Sequence, residues 1–214
     1  MLRVWELVQV ERRSLIRDLE ELQPDQWDVP SLCDGWTVHD VVAHLVDTAR
    51  TSRIGFLVDM VRARFDFDRQ NARGVERERA ATPQQTLQRL RDVAARTSTP
   101  PAPLDSRLVE EFVQGEDIRR PLGLRRAYPP EGLARALRLQ ARTPALFGGA
   151  KELVTRVRLT ADDIDLAVGT GPDVRGPALS LLMVATGRLR AADNPTGPGT
   201  ALLRSASDPQ RGHP

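Results

Sequence analysis

Prolines and short polar runs cut the first 120 or so residues into amphipathic stretches of helical period, with nothing between them that reads as a convincing strand. WELVQVERRSLIRDLEEL spaces Trp5, Leu7, Val8, Leu15, Ile16, Leu19 and Leu22 among charges, which predicts a first helix. Pro24 and Pro30 break the loop QPDQWDVPSLCDGW. Thr37, followed three residues later by Asp40, carries the signature of a capping box and starts a second helix. That helix is expected to run on through ARTSRIGFLVDMVRARF, with a bend near Gly55. The polar, arginine-rich span Asp66 to Ala81 reads as a connector, and TPQQTLQRLRDVAART restarts a helix with Thr82 as cap and Pro83 in its first turn. STPPAPLD is a second connector; SRLVEEFVQGEDIRR is a fourth helix, capped by Asp105 or Ser106 and ended by PLG. Four amphipathic segments without strands bury their apolar stripes most economically as a four-helix bundle.

The texture changes downstream. One more helix follows Pro129 and Pro130, and KELVTRVRLTADDIDLAVG then alternates in the manner of one or two strands. GTGPDVRGP has the glycines of a phosphate loop, but no Gly-Lys-Ser/Thr follows and Pro172 and Pro177 remove amide donors, so it reads as a turn. PALSLLMVATGRLRAAD reads as a helix with Pro177 in its first turn, and GTALLRSA as a last short segment. The expected architecture is mainly α, α+β overall: a helical bundle with an additional helix over 1–147, a small α/β domain over 148–206, and a disordered tail over 207–214.

Composition narrows the function classes. No apolar run approaches the roughly 20 residues of a membrane helix, and MLRVWELVQVERR has charges where a signal peptide needs an apolar core, which points to the cytoplasm. Cys33 is the single cysteine, so an internal disulfide or a cysteine zinc cluster is impossible; it reads as a loop cysteine near a helix start. The net charge is only +2 and aromatic residues make up 4 %, which leaves little for phosphates or stacked bases and argues against nucleic acid. Arg119, Arg120, Arg125 and Arg126 form the one candidate anion patch, with a solvated helix end as the plainer alternative.

Chemistry enters through two helices. At about 100° per residue, Val38, Val41, Val42, Leu45, Val46 and Ala49 share one arc of the second helix, Asp40 and Asp47 lie on the far side, and His44 falls at the seam. It is open to two uses there, a histidine bonded to Asp40, Asp47 or a backbone carbonyl, or a ligand pointing toward a neighbouring helix. On the fourth helix Leu108, Val109, Phe112 and Val113 form the apolar arc, and Glu110, Gln114 and Asp117 line one edge at spacings of four and three. Such edges are either solvated faces or the places where bundles assemble metal sites in their interior.

Three stretches, WDVPSLCDGWTVHDVVAHL, VEEFVQGEDIRRPLG and LTADDIDLAVGTGPDVRGPALSLLMVATGR, resemble in order the mycothiol-dependent maleylpyruvate isomerase family, whose bundle is DinB-like. The resemblance implies a divalent metal, usually zinc, held by a histidine on the second helix and by a glutamate and a histidine four residues apart on the fourth. Carried over, the first two are His44 and Glu110. The second histidine position is Gln114, a neutral amide oxygen and a much poorer zinc donor. Asp117 then stands as an alternative or supporting ligand, and either a weak metal site or a bundle that has lost its metal follows. In the family the thiol of mycothiol is deprotonated on the metal and adds to an electrophilic substrate; Arg119 and Arg120 would hold a substrate carboxylate. The resemblance therefore implies a metal-assisted, thiol-dependent transferase or isomerase, monomeric or homodimeric, with a non-catalytic small-molecule-binding protein as the alternative.

Overall fold

The computed structural model describes residues 3–189 and 194–206. The 207–214 tail expected from sequence, and His213 within it, lie outside them. Residues 1–126 and 127–214 form two separate units, a boundary ahead of the 147/148 division drawn from sequence.

In the first unit, α1 (Val4–Glu20) leads through a 3-10 turn at Pro24–Asp28 to α2 (Val38–Arg50). Thr37 caps α2 as expected: its side chain accepts the Asp40 amide, and its own amide donates to Asp40 Oδ2 at 2.9 Å. The continuous second helix foreseen from sequence is in fact two. Its first part ends at Arg50, and Ser52 caps a new helix, α3 (Arg53–Arg62), by accepting the Gly55 amide at 3.1 Å. The chain therefore breaks at Thr51 and Ser52, where a capping side chain competes with helix continuation, and not at Gly55.

The supposed connector is also a helix, α4 (Phe67–Glu78), capped by Asp66. It escapes periodicity analysis because charges rather than an apolar stripe dock it on α2. Arg50 meets Glu78 at 2.8 Å, Arg77 pairs with Asp47, and Arg79, just beyond α4, meets Asp40 at 2.8 Å. Gly74 sits at the closest approach, where a Cβ would overlap the Asp47 carboxylate. Asp47, assigned from sequence to the far side of α2, is consequently 2 % exposed.

α5 (Pro83–Val93) begins at its Thr82 cap as expected, and α6 (Ser106–Arg119) has Asp105 at its N-cap position. Six α-helices thus precede residue 120 where four segments were expected. The bundle itself is built from four of them, α1, α2, α5 and α6, whose Leu15, Ile16, Leu19, Val38, Val42, Leu45, Leu87, Leu90 and Ile118 share one core with Trp27. Each such side chain contributes about 1.5–3 kcal/mol on full burial. α3 leaves Ile54, Leu57 and Val61 exposed.

In the second unit, α7 (Pro130–Gln140) packs on α8 (Ala178–Ala185). The alternating segment supplies β1 (Arg158–Ala161) and β2 (Ala167–Gly169), paired antiparallel. The segment read as a turn, within GPDVRG, is a third strand, β3 (Asp173–Gly176), parallel to β1, so the sheet order is β2-β1-β3. Valine at position 174 is fully buried in it, a strand signal that the flanking prolines and glycines masked. α8 covers β1 and β3. Its expected extension stops at Ala185, followed by Gly187 at φ 82°; residues 190–193 of that extension lie outside the described ones. The last short segment is α9 (Thr200–Ala206).

Candidate functional site

α2 and α6 bring His44 and Glu110 together. The imidazole Nε2 lies 2.9 Å from Glu110 Oε1, with the His44 side chain 6 % exposed and that of Glu110 19 %. Neither Asp40 nor Asp47, the partners that α2 alone offered to His44, is in this contact, because α4 and its flank engage both. Trp36, from the loop before α2, covers the ring, their centroids 5.2 Å apart and their planes tilted by 53°. His44 Nδ1 is buried and has no hydrogen-bond partner among the described residues. The pair thus has a buried histidine at its centre and a carboxylate reaching the solvent margin.

Gln114 takes a different neighbour. Its Oε1 accepts from the Cys33 thiol at 3.5 Å, and the same thiol donates to Asp117 Oδ2 at 3.1 Å. The loop is tied to α6 through its backbone as well, by the Leu32 amide donating to the Asp117 carbonyl at 3.1 Å. Cys33 is therefore a site residue that sequence reasoning set aside. No local signal betrays it, because the contact spans 81 residues or more of chain.

A second omission, Arg107, was legible. Arg107, Glu110, Gln114 and Asp117 recur at spacings of three, four and three, which makes one polar stripe along α6. The Arg107 side chain is 6 % exposed and its Nη2 stands 4.0 Å from Glu110 Oε2.

Arg119 and Arg120 are engaged elsewhere. Arg119 Nε donates to Asp18 Oδ2 and Arg120 Nε to Glu116 Oε2, both at 2.7 Å. Behind the stripe, Arg12 Nε donates to Glu111 Oε1 at 2.7 Å. Burial pushes the Glu111 carboxyl above its ordinary range, with Arg12 pulling against it. Burial likewise raises Asp47, opposed by its hydrogen bond to Arg77. A groove of about 380 Å³ beside α3 and α4 is lined by Asp59, Arg62, Gln70, Arg73 and Arg77 and by none of the residues above.

The donor set answers the metal question only in part. His44 Nε2 and Glu110 Oε1 are close enough to share one small cation, whose ligands at roughly 2.0–2.1 Å stand a little over 3 Å apart. The third donor is missing: Gln114 is a neutral amide already bonded to Cys33, and among the described residues no three His, Cys, Asp or Glu side chains gather as a metal-holding set. As built, the residues do not fit a three-ligand zinc centre.

Comparison with known proteins agrees with the fold. The solved structure of the mycothiol-dependent maleylpyruvate isomerase aligns with a TM-score of 0.57 at 14 % identity, and that of a histidine-to-alanine mutant with 0.65 at 15 %. Each alignment covers 92 % of this chain and 93 % of the other. No curated protein sequence matches. At such identities the likeness establishes the architecture, a helical bundle followed by a small α/β domain. The sequence itself matches the model of the mycothiol maleylpyruvate isomerase N-terminal domain over residues 8–109, which includes Cys33, His44 and Arg107 and stops one residue short of Glu110. The segment running from α1 into the first turn of α6 is therefore similar in sequence to the mycothiol maleylpyruvate isomerase N-terminal domain.

Proposed function

We propose that the protein is a thiol-dependent isomerase or transferase, with mycothiol as the thiol and an electrophilic small molecule as substrate. The observation that carries this reading is the buried meeting of His44 and Glu110 across α2 and α6. The match of residues 8–109 to the model of the mycothiol maleylpyruvate isomerase N-terminal domain and the shared architecture support it.

A free thiol ionises near pH 8.5 and is a weak nucleophile at neutral pH until its proton is taken. His44 is the acceptor: Glu110 faces Nε2, and Nδ1 is left with no other partner among the described residues. The thiol gives its proton to the imidazole, sulfur bonds to the electrophilic carbon, and the displaced π pair moves onto the substrate's conjugated carbonyl oxygen. For isomerisation, rotation about the resulting single bond precedes loss of the thiolate, which recovers the proton from His44. For transfer, the electrophilic carbon keeps the sulfur, the enolate collapses back to the carbonyl, and its α carbon takes the proton from His44. Trp36 covers one side of the imidazole and limits its access to water.

The metal-assisted form, with His44, Glu110 and Gln114 as ligands and Asp117 behind them, requires Gln114 to leave Cys33. Elemental analysis of purified protein, with and without added zinc, separates the two. Fewer than about one-tenth of a metal per chain together with mycothiol-dependent consumption of an electrophile is expected; stoichiometric zinc lost in His44→Ala would replace the dyad by the metal. General-base catalysis supplies roughly 10²–10⁴-fold, so His44→Ala is expected to lower kcat/KM by that factor. No mycothiol-dependent turnover in the wild type, over a panel of conjugated carbonyl compounds, overturns the enzyme reading.

A further inference from the structure

The first turn of α6 holds more donors than the protein satisfies. Arg107 is buried, yet among the described residues its Nε and Nη1 have no hydrogen-bond partner, and the neighbouring Ser106 Oγ, also shielded from solvent, has none. Its nearest opposite charge, Glu110, stands 4.0 Å from the remaining nitrogen, Nη2, and is shared with His44. A buried guanidinium with two unpartnered nitrogens is costly, since each donor has given up water without gaining an acceptor. Native interiors satisfy nearly all such groups, so these donors mark a place that an acceptor fills. The other arginines of the seam's surroundings each hold a carboxylate at 2.7 Å, Arg12 that of Glu111, Arg119 that of Asp18 and Arg120 that of Glu116, although Arg12 Nη2 is also left without a partner among the described residues.

We propose that Arg107 is the anion-holding residue of this site, taking a carboxylate of the substrate beside the His44–Glu110 pair, with Ser106 as a further donor. The assignment of that carboxylate to a substrate rests on the thiol-dependent reading above. Charge selects the class. Glu110 already places one negative charge next to the guanidinium, so a carboxylate group, which brings one charge to the contact even when a second carboxylate lies farther along the same molecule, is accommodated where a phosphate that gathers two charges on one centre is repelled. Position selects the role. Arg107 is one helical turn from Glu110 on the same stripe, so a carboxylate held there sets the adjacent carbon skeleton toward His44. The partly exposed Glu110 marks the side from which the group enters.

The test is thermal unfolding of the full chain with succinate as probe, against inorganic phosphate and chloride at matched ionic strength. For a chain of this length, succinate at a hundred times its Kd is expected to raise the wild-type Tm by roughly 5–10 °C. Arg107→Met, of similar volume without the charge, is expected to lose that rise, and Arg107→Lys, which keeps the charge should the first variant not fold, to retain only part of it. An equal succinate response in Arg107→Met and wild type overturns the proposal. So does a wild type indifferent to succinate, whose donors water then satisfies, or one that answers to phosphate alone. Mycothiol turnover is scored separately: a succinate response lost with Arg107 in a protein without turnover sinks the thiol reading and keeps this one, and turnover without any succinate response does the reverse.

Discussion

His39 and His44 lie on one helix and are held in different surroundings. His39 is 2 % exposed, packs edge-on against Trp27 and has its Nε2 2.7 Å from Thr86 Oγ1. Burial, reinforced by Arg79, lowers its pKa below the ordinary 6.5. The folded protein thus keeps this ring neutral at a pH where the unfolded chain protonates it. Its contribution to stability is complete above about pH 6.5 and is lost as pH falls through the depressed folded value. Thermal unfolding is expected to show Tm falling below pH 6.5, with His39→Gln flattening that segment of the profile; an unchanged slope would assign it to other groups. Sequence spacing separated His44 from the apolar arc and identified its position as special. It could not name the partner, because an imidazole at a seam is equally at home with Asp40, Asp47 or Glu110 until the packing of α6 decides. Cys33 was less legible still, since Gln114 and Asp117, the acceptors of its thiol, lie on a helix more than 80 residues away in sequence.

At the scale of elements, α4 shows where periodicity stops being informative. A helix is recognised from sequence by its apolar stripe, and α4 buries only Gln70, Gly74, Val75 and Glu78. Its docking depends on the three arginine–carboxylate pairs with α2 and on a glycine at the contact. Gly74→Ala therefore sets a gain in helix propensity of about 1 kcal/mol against overpacking of roughly 1–3 kcal/mol. The Asp47 carboxylate it would strike is buried and held by Arg77, so the steric term wins, and Tm is expected to drop by about 2–4 °C. The same substitution in an Asp47→Ala background is expected to be neutral or stabilising, a coupling that a double-mutant cycle measures. Helices with an ordinary stripe or a strong cap, α1, α5 and α6, were legible to within a few residues, as were the start of α2 at its Thr37 cap and Pro177 ahead of α8. β3 was hidden for a related reason: a short strand bounded by glycine and proline carries the residues of a turn, and only pairing with β1 distinguishes the two.

At the scale of the whole molecule, the bundle core draws on α1, α2, α5 and α6 with Trp27 of the intervening 3-10 turn, all within residues 1–126. A fragment ending at Arg126 is accordingly expected to fold by itself, with helical circular dichroism and a single cooperative melt; a fragment lacking cooperativity would show that the core needs residues beyond it. The helix after Pro129 and Pro130, grouped with the bundle from sequence, belongs to the second unit because its partner there is α8, a pairing that local pattern does not encode. One further property follows from the loop on α6. Cys33 is the chain's single thiol, and its hydrogen is committed to Gln114 and Asp117 beside the proposed reaction site. The protein therefore carries a native chemical clock: the rate at which an added disulfide reagent captures that sulfur counts how often the loop leaves the helix. With no second cysteine to confuse the signal, each departure is recorded without an engineered label.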